Sequence, residues 1–415
     1  MTSALPSSAR DLLKQRDYRF FWASRWMGSV GTQIQSVAMG WQVYELSRQA
    51  HLSVGYASFN VSLIGLITFA PLFFLALPAG VAADHYDRKR LMALCYVGEL
   101  IAASILVAAE LFHFASVRLL LSVALVFGTS RSFYSPALSA LGPMLVPREL
   151  LPRAIAWNSL AGQFASIFGP MIAGALVAVS PIWAFTVPFA LYAAALLSIT
   201  RVRRVTRPVA SGASRLAMMR EGLAYVWTNK VVFGAISLDL AAVILAGAAA
   251  LLPAFARDVL NVGPQGFGEF RSAIAVGSAG TALLLSARPI RSQAGLKMFV
   301  GVAIFCAANV VFGLSRSFWL SIVTLAVMGA ADQMSVFVRQ TLVQLKSPDE
   351  MRGRVGAVSS LFISASNELG EFRGGLVARF LGPVSAVVYG GVAGLVVTGV
   401  WAKLFPALRT ADRLE

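Results

Sequence analysis

The sequence predicts an all-α membrane protein with twelve transmembrane helices in two six-helix halves. The first reason is composition: 57% of the 415 residues are hydrophobic and 13% are charged, and the mean hydropathy is +0.72. A soluble chain of this composition cannot cover its apolar surface. The second reason is that apolar residues gather into twelve long runs, and the third is a repeat between the two halves.

The twelve apolar runs are each long enough to cross a bilayer, and we number them as spans 1 to 12 in chain order. They lie at residues 20–46, 54–79, 91–110, 117–141, 154–178, 181–200, 231–256, 267–287, 296–314, 317–342, 355–379 and 383–405. Because lipid offers the backbone no hydrogen-bond partner, we expect each span to be a helix. Residues 1–19 are polar and resemble no signal peptide, which predicts that span 1 is retained.

The distribution of basic residues indicates the orientation of the chain. There are 35 Lys and Arg against 19 Asp and Glu, a net charge of +16. Most of the basic residues fall in the amino-terminal tail or in loops on one side of the twelve spans, and the positive-inside rule assigns that side to the cytoplasm. We therefore expect a multi-pass membrane protein with both termini in the cytoplasm; that this is the bacterial inner membrane is implied by the resemblance described below. The charge does not indicate binding to nucleic acid.

The sequence contains no motif for the chemistry of soluble enzymes. Its three His residues are scattered over loops, no phosphate-binding loop occurs, and no metal-ligand spacing surrounds Cys95 or Cys306. Both cysteines lie in apolar runs, which favours buried core residues over a disulfide. We expect a protein that is not an enzyme and that holds no cofactor and no metal.

A basic segment separates the two halves. We assign residues 1–200 to the amino-terminal half, 201–230 to a cytoplasmic linker and 231–415 to the carboxy-terminal half. Residues 201–207 are interpreted as a solvated stop at the membrane surface. Residues 214–227 fit an amphipathic helix lying on the inner leaflet. The predicted apolar face of that helix consists of Leu216, Met219, Leu223 and Val226.

The two halves repeat each other at an offset of 201 residues. Repeats related by an axis along the membrane normal place a substrate site near the midplane, between the halves. The offset makes Arg131 of span 4 the equivalent of Asp332 of span 10. It also aligns identical residues: Pro147 with Pro348, Glu149 with Glu350, Arg153 with Arg354, Gly169 with Gly370, and Gly174 with Gly375.

The loop between spans 2 and 3 carries a dense charge cluster over residues 80–90. It resembles the loop 2–3 signature of the major facilitator superfamily. The resemblance implies a conformational latch, in which Asp84 rests against the start of span 11, near Arg354, when the cytoplasmic side is closed. The alternative is that Asp84 only caps the turn. Signature positions are matched by Gly80, Asp84, Arg88 and Lys89, followed by a third basic residue, Arg90, whereas His85 and Asp87 depart from the pattern.

Span 5 carries a second motif, built from small residues and a proline. Gly169, Pro170 and Gly174 follow the spacing of the antiporter motif of the same superfamily, with Ala165 and Ala173 at two of its glycine positions. The resemblance favours exchange and efflux, since the proline permits a bend. The alternative is a face of small residues that lets helices pack closely.

Ionisable residues inside the spans cost about 2.5–3.5 kcal/mol each near the membrane centre, so each is a candidate for function. The predicted proton-coupling and cavity residues are Arg25, Arg131, Asp239, Asp332 and Glu368. We expect Asp239 and Asp332 to carry protons, with Arg25 facing Asp239 and Arg131 facing Asp332. Glu371 shares a face of span 11 with Glu368, and Arg373 is its alternative structural partner. Glu99 and Arg339 are interpreted first as structural or snorkelling residues.

The carboxy-terminal third narrows the resemblance. Residues 339–344, 348–355 and 366–372 are similar to the bacterial subgroup of the superfamily that includes the enterobactin exporter. This resemblance implies a monomeric exporter whose partners are the bilayer, protons and a small amphiphilic substrate, either a siderophore or a drug-like compound. Since no ATP-binding loop occurs, we expect an ion gradient to drive it. The alternatives are a lipid flippase of the same fold and a non-transporting membrane scaffold or sensor.

Overall fold

The computed structural model describes residues 12, 14–203, 215–288, 290 and 292–410. In these residues the regular structure is helical throughout, and no strand occurs. The prediction of an all-α protein is confirmed. Arg204 and Arg207, in the predicted linker, lie outside the described residues.

Twelve long helical segments follow one another in this part of the chain, one for each predicted span, and they keep the span numbers. The first six are Arg16–Gln49, Val54–Phe74 with Ala76–His85, Arg88–Leu111, Val117–Leu141, Leu151–Val179 and Pro181–Thr200. The other six are Lys230–Ala246 with its continuation to Val259, Gly263–Ala287, Ala294–Leu314, Phe318–Lys346, Arg352–Leu381 and Pro383–Leu404.

Nine of the helical segments among the described residues are long and apolar enough to cross a membrane. Spans 1, 4 and 11, with 34, 25 and 30 residues, are long enough but more polar. These three spans carry Arg25, Arg131 and Glu368. The polar residues that lower the hydropathy of these helices therefore include predicted functional residues.

Span 7 is interrupted at Gly247. Its first helix ends at Ala246, and a 3-10 turn at Ala249–Leu251 and a π-helical turn at Phe255–Val259 follow. A Cβ at Gly247 would lie 3.1 Å from the backbone carbonyl carbon of Gly370 in span 11. Only a residue without a side chain permits this close approach of two helix backbones.

The π-helical turn of span 7 is bound to the end of span 1 by polar contacts that the sequence analysis did not single out. Tyr44 Oη donates to Asp258 Oδ2 at 2.5 Å, and Arg48 Nη2 donates to Asp258 Oδ1 at 3.1 Å. Arg257 Nη1 lies 3.3 Å from Glu45 Oε2. Such turns are frequent at functional sites, and here the turn aims two charged side chains at one helix end.

Contacts divide the described chain into two compact units. The first combines Met1–Met39 with Ala70–Gly212, and the second combines Gly40–Phe69 with Ala213–Glu415. Residues 40–69, which belong to the amino-terminal half in the sequence prediction, thus pack within the second unit. Each unit has its own apolar core. Cys95 and Cys306 are buried free thiols, as predicted.

The segment Arg215–Thr228 is a helix, as predicted for residues 214–227. Its Val226 is buried in a core cluster with side chains of spans 7, 10 and 11, and Tyr225 donates a hydrogen bond to Lys346 O. The prediction that Val226 faces the lipid is therefore wrong, because the helix packs this side against protein. Leu223, from the same predicted face, is exposed, and the side chain of Leu216 lies outside the described residues.

Candidate functional site

A charge cluster inside the second unit consists of the buried Asp239 and Arg339 together with the half-buried Asp332, and we call it the buried charge cluster. Arg339 of span 10 binds Asp239 of span 7 through a hydrogen bond from Nη1 to Oδ2. The two side chains are 1% and 5% exposed, respectively. Arg339 is the largest of the fully buried side chains in the described residues, and an ion pair so deeply buried is costly unless its remaining polar atoms find partners.

Asp332 completes the cluster from the same helix as Arg339. The two residues are seven positions apart, so they lie on one face of span 10, two turns from each other. The charges of both Asp239 and Arg339 act on the Asp332 carboxyl group. The ion pair of Arg339 is with Asp239, and Asp332 is close enough to feel the charges of both.

The buried charge cluster has unused hydrogen-bonding capacity. Arg339 Nε and Nη2 and the Ser335 hydroxyl are buried without a hydrogen-bond partner in the part of the chain that the structure describes. Apolar core residues surround them: Ala235, Leu238, Ala242, Val338 and Leu342. Arg339 therefore has N–H donors beyond the one that binds Asp239.

A cavity of about 210 Å³ lies in the first unit, between spans 1, 3, 4 and 5. We call it the first-unit cavity. Its charged lining residues are Glu99 and Arg131, and its neutral polar lining includes Thr32, Gln33 and Tyr134. Tyr96, at the wall, donates to Ser24 O at 2.9 Å, and its hydroxyl lies 3.0 Å from that of Tyr134.

The two charges of the first-unit cavity differ in exposure. Glu99 is 2% exposed, and its Oε2 has no hydrogen-bond partner among the described residues. Arg131 is exposed, with its guanidinium carbon 5.7 Å from the centre of the Phe127 ring. The charge of Arg131 acts on Glu99, and the charge of Arg25 acts on Tyr134 in the same wall.

Two predicted pairs, Arg25 with Asp239 and Arg131 with Asp332, join residues of different units and stay predictions. Within its own unit, each predicted residue has a neighbour that the sequence analysis interpreted as structural, namely Arg339 for Asp239 and Glu99 for Arg131. The spacing of seven residues places Asp332 and Arg339 on one helix face, and this signal could have marked Arg339 as part of the same site as Asp332.

Glu368 and Glu371 converge on Gly65 of span 2. A Cβ at Gly65 would collide with Glu368 Oε2 and would lie 3.7 Å from Glu371 Oε2, so the missing side chain leaves room for both carboxyl groups. The charge of Arg271, in span 8, acts on Glu371. Arg373, the alternative partner for Glu371, instead donates a hydrogen bond to Leu245 O.

The predicted loop at residues 80–90 is mostly helical: the helix Ala76–His85 ends within it, only residues 86 and 87 form the turn, and span 3 begins at Arg88. Asp87 accepts a hydrogen bond from Lys89 N at 3.0 Å and caps span 3, so this departure from the signature has a structural function. Lys89 Nζ donates to Thr200 O at 2.8 Å, at the end of span 6. Arg88 Nη1 lies 3.1 Å from Met144 Sδ, and Arg90 is 4.0 Å from Asp87.

Gly80 and Asp84 are the other two residues of the predicted latch. Gly80 is buried within the helix Ala76–His85, and Asp84 is half-buried near its end. Arg354, at the start of span 11, binds Glu221 of the helix Arg215–Thr228. The contact between Asp84 and span 11 would join different units, and it stays a prediction.

The span 5 motif brings two helices together. Gly169, Pro170 and Gly174 are buried. A Cβ at Gly169 would lie 2.5 Å from Gln33 Cβ in span 1, closer than side chains approach. The glycine therefore permits close packing of spans 1 and 5 beside the first-unit cavity.

Comparison with known proteins gives consistent matches over most of the chain. A family model described as transmembrane secretion effector matches residues 7–415. Macrolide efflux protein A of Streptococcus pyogenes is 25% identical over 329 residues, 78% of this chain and 81% of that protein. The enterobactin exporter of Shigella boydii serotype 18 is 24% identical over 388 residues, 92% of this chain and 90% of that protein.

Among solved structures, a POT family transporter in complex with a thioalcohol-conjugated peptide is similar with a TM-score of 0.74. The match covers 95% of this chain and 96% of that chain at 12% identity. At this identity the likeness shows the fold alone.

Proposed function

This chain belongs to the transmembrane secretion effector family of the major facilitator superfamily, and from that membership we propose that it exports a small amphiphilic molecule across the bacterial inner membrane by proton-coupled alternating access. The family makes it a multi-pass membrane transporter. Two similar proteins are, by name, an efflux protein for macrolides and an exporter of enterobactin. A drug-like compound or a siderophore is the substrate class that fits both.

The observation that carries proton coupling is the buried charge cluster of Asp239, Asp332 and Arg339. With both carboxyl groups ionised, the cluster has a net charge of −1 inside an apolar core. One bound proton brings the net charge to zero. Because unbalanced charge is expensive in such surroundings, the cluster is suited to bind and release one proton.

An exchange of partners by Arg339 links this proton to the conformation of the protein. Arg339 holds Asp239 of span 7 through Nη1, while Nε and Nη2 have no partner among the described residues. Protonation of one carboxyl group releases the guanidinium towards the other. A change of this kind between spans 7 and 10 stabilises one arrangement of the helices over another, which is what a proton must do to drive alternating access.

The proposal can be tested by resistance and export profiling in a bacterial strain that lacks its own efflux pumps. The full-length chain should protect the strain against some macrolide-like amphiphiles, or restore secretion of a siderophore. Asp332→Asn should abolish the effect at equal membrane expression. Asp349→Asn is the matched control, because Asp349 follows the same span but its side chain is 84% exposed.

Full activity of Asp332→Asn would contradict proton coupling through the buried charge cluster. A protein that protects against no compound and secretes none, but moves labelled lysophospholipid between leaflets, would favour the flippase alternative.

A further inference from the structure

The first-unit cavity has the properties of a ligand-binding site with an excess of positive charge. Its charged lining residues are Glu99 and Arg131, and the charge of Arg25 reaches its Tyr134 wall. Arg25 thus adds positive charge beside a cavity that is itself lined by one arginine and one carboxyl group.

The positions of the two lining charges decide which of them meets a ligand. Glu99 is buried in the wall, and its Oε2 is without a hydrogen-bond partner among the described residues. Arg131 is exposed at the cavity; its guanidinium lies beside the Phe127 ring, and its charge acts on Glu99 and on Tyr192. An entering molecule therefore meets the guanidinium group before it meets the carboxylate.

We propose that the first-unit cavity binds an anionic group of the transported substrate through Arg131, and that this group displaces Glu99 as the counter-charge of Arg131. A guanidinium presents five N–H donors in a fixed fork that matches a carboxylate, sulfonate or phosphate. A bidentate pair of this kind is stronger and more selective than one hydrogen bond. The Thr32, Gln33 and Tyr134 side chains supply further polar contacts around the bound group.

The size of the cavity limits which part of the substrate it holds. Sites for whole drug-sized ligands measure about 300–1,000 Å³, and this cavity measures about 210 Å³. It suits one anionic group attached to a single ring system. The exported molecule is therefore inferred to be an anionic amphiphile with its charge close to an aromatic or cyclic group.

A cationic ligand is disfavoured by the same geometry. To reach Glu99 it would have to pass the exposed Arg131, and it would add a third positive charge to the site. Because like charges repel strongly in low-dielectric surroundings, a cation would bind only where Arg131 had been removed. Substitution of Glu99 or Arg131 should therefore change the affinity for anionic ligands and the affinity for cationic ligands in opposite directions.

Binding of 1-naphthoate to the full-length protein tests this inference. The protein is placed in nanodiscs of phosphatidylcholine, a lipid without net charge, and the affinity is measured by titration calorimetry against empty nanodiscs. The cationic 1-naphthylmethylammonium and the neutral 1-naphthalenemethanol serve as matched probes. We expect the wild-type protein to bind the naphthoate at least tenfold more tightly than either counterpart.

Three variants test the direction in which naphthoate affinity changes. Glu99→Gln removes the competing internal anion and should tighten naphthoate binding about tenfold. Arg131→Gln should weaken it more than tenfold, and Arg131→Lys, which keeps the charge but loses the fork, should fall between Arg131→Gln and wild type. If Arg131→Gln does not fold, the opposite changes in Glu99→Gln and Arg131→Lys still decide.

Equal naphthoate affinity in all variants would overturn the proposal, as would preference for the ammonium probe with loss of binding in Glu99→Gln. The inference rests on the proposed export function for its biological meaning, but the assay measures binding alone. Proton coupling is tested separately, by Asp332→Asn, and its outcome does not bear on naphthoate binding. Absence of naphthoate binding in an active exporter would contradict this inference but not the proposed function.

Discussion

The buried charge cluster of the second unit and the first-unit cavity use the same chemical groups in opposite ways. Each combines an arginine with a carboxyl group from a different span. In the cluster the arginine itself is buried, at 1% exposure, and hydrogen-bonded to Asp239. In the cavity the carboxyl group of Glu99 is buried, and Arg131 is exposed.

From this difference we infer that the exposure of the guanidinium group decides whether such a pair can bind a ligand. A buried guanidinium can respond only to protons and to its internal partners, because no larger ion reaches it. An exposed guanidinium can exchange its internal partner for a ligand. Arg131 and Asp332 are equivalents in the sequence repeat, and we propose two different roles for this one position of the repeat.

The largest effect should come from removing the buried arginine. Arg339→Met leaves Asp239 without its cation in an apolar core, and the free energy of unfolding should fall by about 3–5 kcal/mol. Arg131→Met removes an exposed cation and should cost about 1 kcal/mol or less, since water can still enter the cavity. Thermal unfolding of both variants in the same detergent, at equal protein concentration, measures the difference.

A second substitution should restore the stability that Arg339→Met loses. Adding Asp239→Leu to Arg339→Met removes the stranded carboxyl group and should recover most of the lost stability. Equal destabilisation by Arg339→Met and Arg131→Met would show that the two arginines are not distinguished by burial.

A smaller effect is expected when one of the two carboxyl groups of the buried charge cluster is neutralised. Asp239→Asn breaks a hydrogen bond between charged groups and should cost about 1.5–3 kcal/mol, because Asp332 remains to balance Arg339. Asp332→Asn should cost less than about 1 kcal/mol for the same reason. The double variant leaves Arg339 unbalanced, so its loss of stability should exceed the sum of the single losses.

Chemical denaturation of the three variants in mixed micelles provides these values. Strict additivity would contradict the sharing of one guanidinium by two carboxyl groups.

Two glycines extend the comparison to helix packing. Gly247→Ala brings a methyl group against the backbone of span 11 and should destabilise the second unit by about 1–3 kcal/mol. Gly162→Ala adds a methyl group at the wall of the first-unit cavity, where nothing lies within 4 Å. It should leave stability within about 0.5 kcal/mol of wild type and weaken naphthoate binding by reducing the space.

Unfolding measurements and the calorimetric titration on both glycine variants check this pair of expectations. A destabilised Gly162→Ala with unchanged binding would show that the cavity is not the ligand site.

The smallest effect is expected at the exposed pair of Arg354 and Glu221, which lies outside both regions. Both side chains are partly exposed, so Glu221→Gln should change the free energy of unfolding by about 0.2–1 kcal/mol. The loss of stability in Glu221→Gln should be smaller at high salt than at low salt, because salt screens exposed ion pairs. If Glu221→Gln lost as much stability as Arg339→Met, burial would not explain the large effect expected for Arg339→Met.

The sequence predicted the helices well because the apolar runs carry the signal directly. It also identified the polar residues inside the spans, since each charge there is conspicuous against its surroundings. It did not identify their partners. Position along a span gives the depth of Asp239 or Arg131, but the rotation of each helix about its axis decides which neighbour it meets.

Tertiary packing explains the other differences. Val226 has the spacing of a lipid-facing residue, yet it packs against spans 7, 10 and 11, because a core cluster competes with the bilayer for the same apolar side chain. The Gly247 interruption leaves no clear mark in the sequence, since glycine is common in packed membrane helices. At this position the backbone of span 11, which lies far away in the chain, approaches Gly247 closely.

The division of roles between the two regions is tested most directly by substrate-dependent proton flux in vesicles that contain the Asp332→Asn protein. The substrate is the one identified by resistance and export profiling, and naphthoate affinity of the same preparation is the internal control. We expect wild-type vesicles to move protons when substrate is added, and Asp332→Asn vesicles to show no flux while their naphthoate affinity stays within twofold of wild type. Wild-type proton flux from the Asp332→Asn protein would contradict this division of roles.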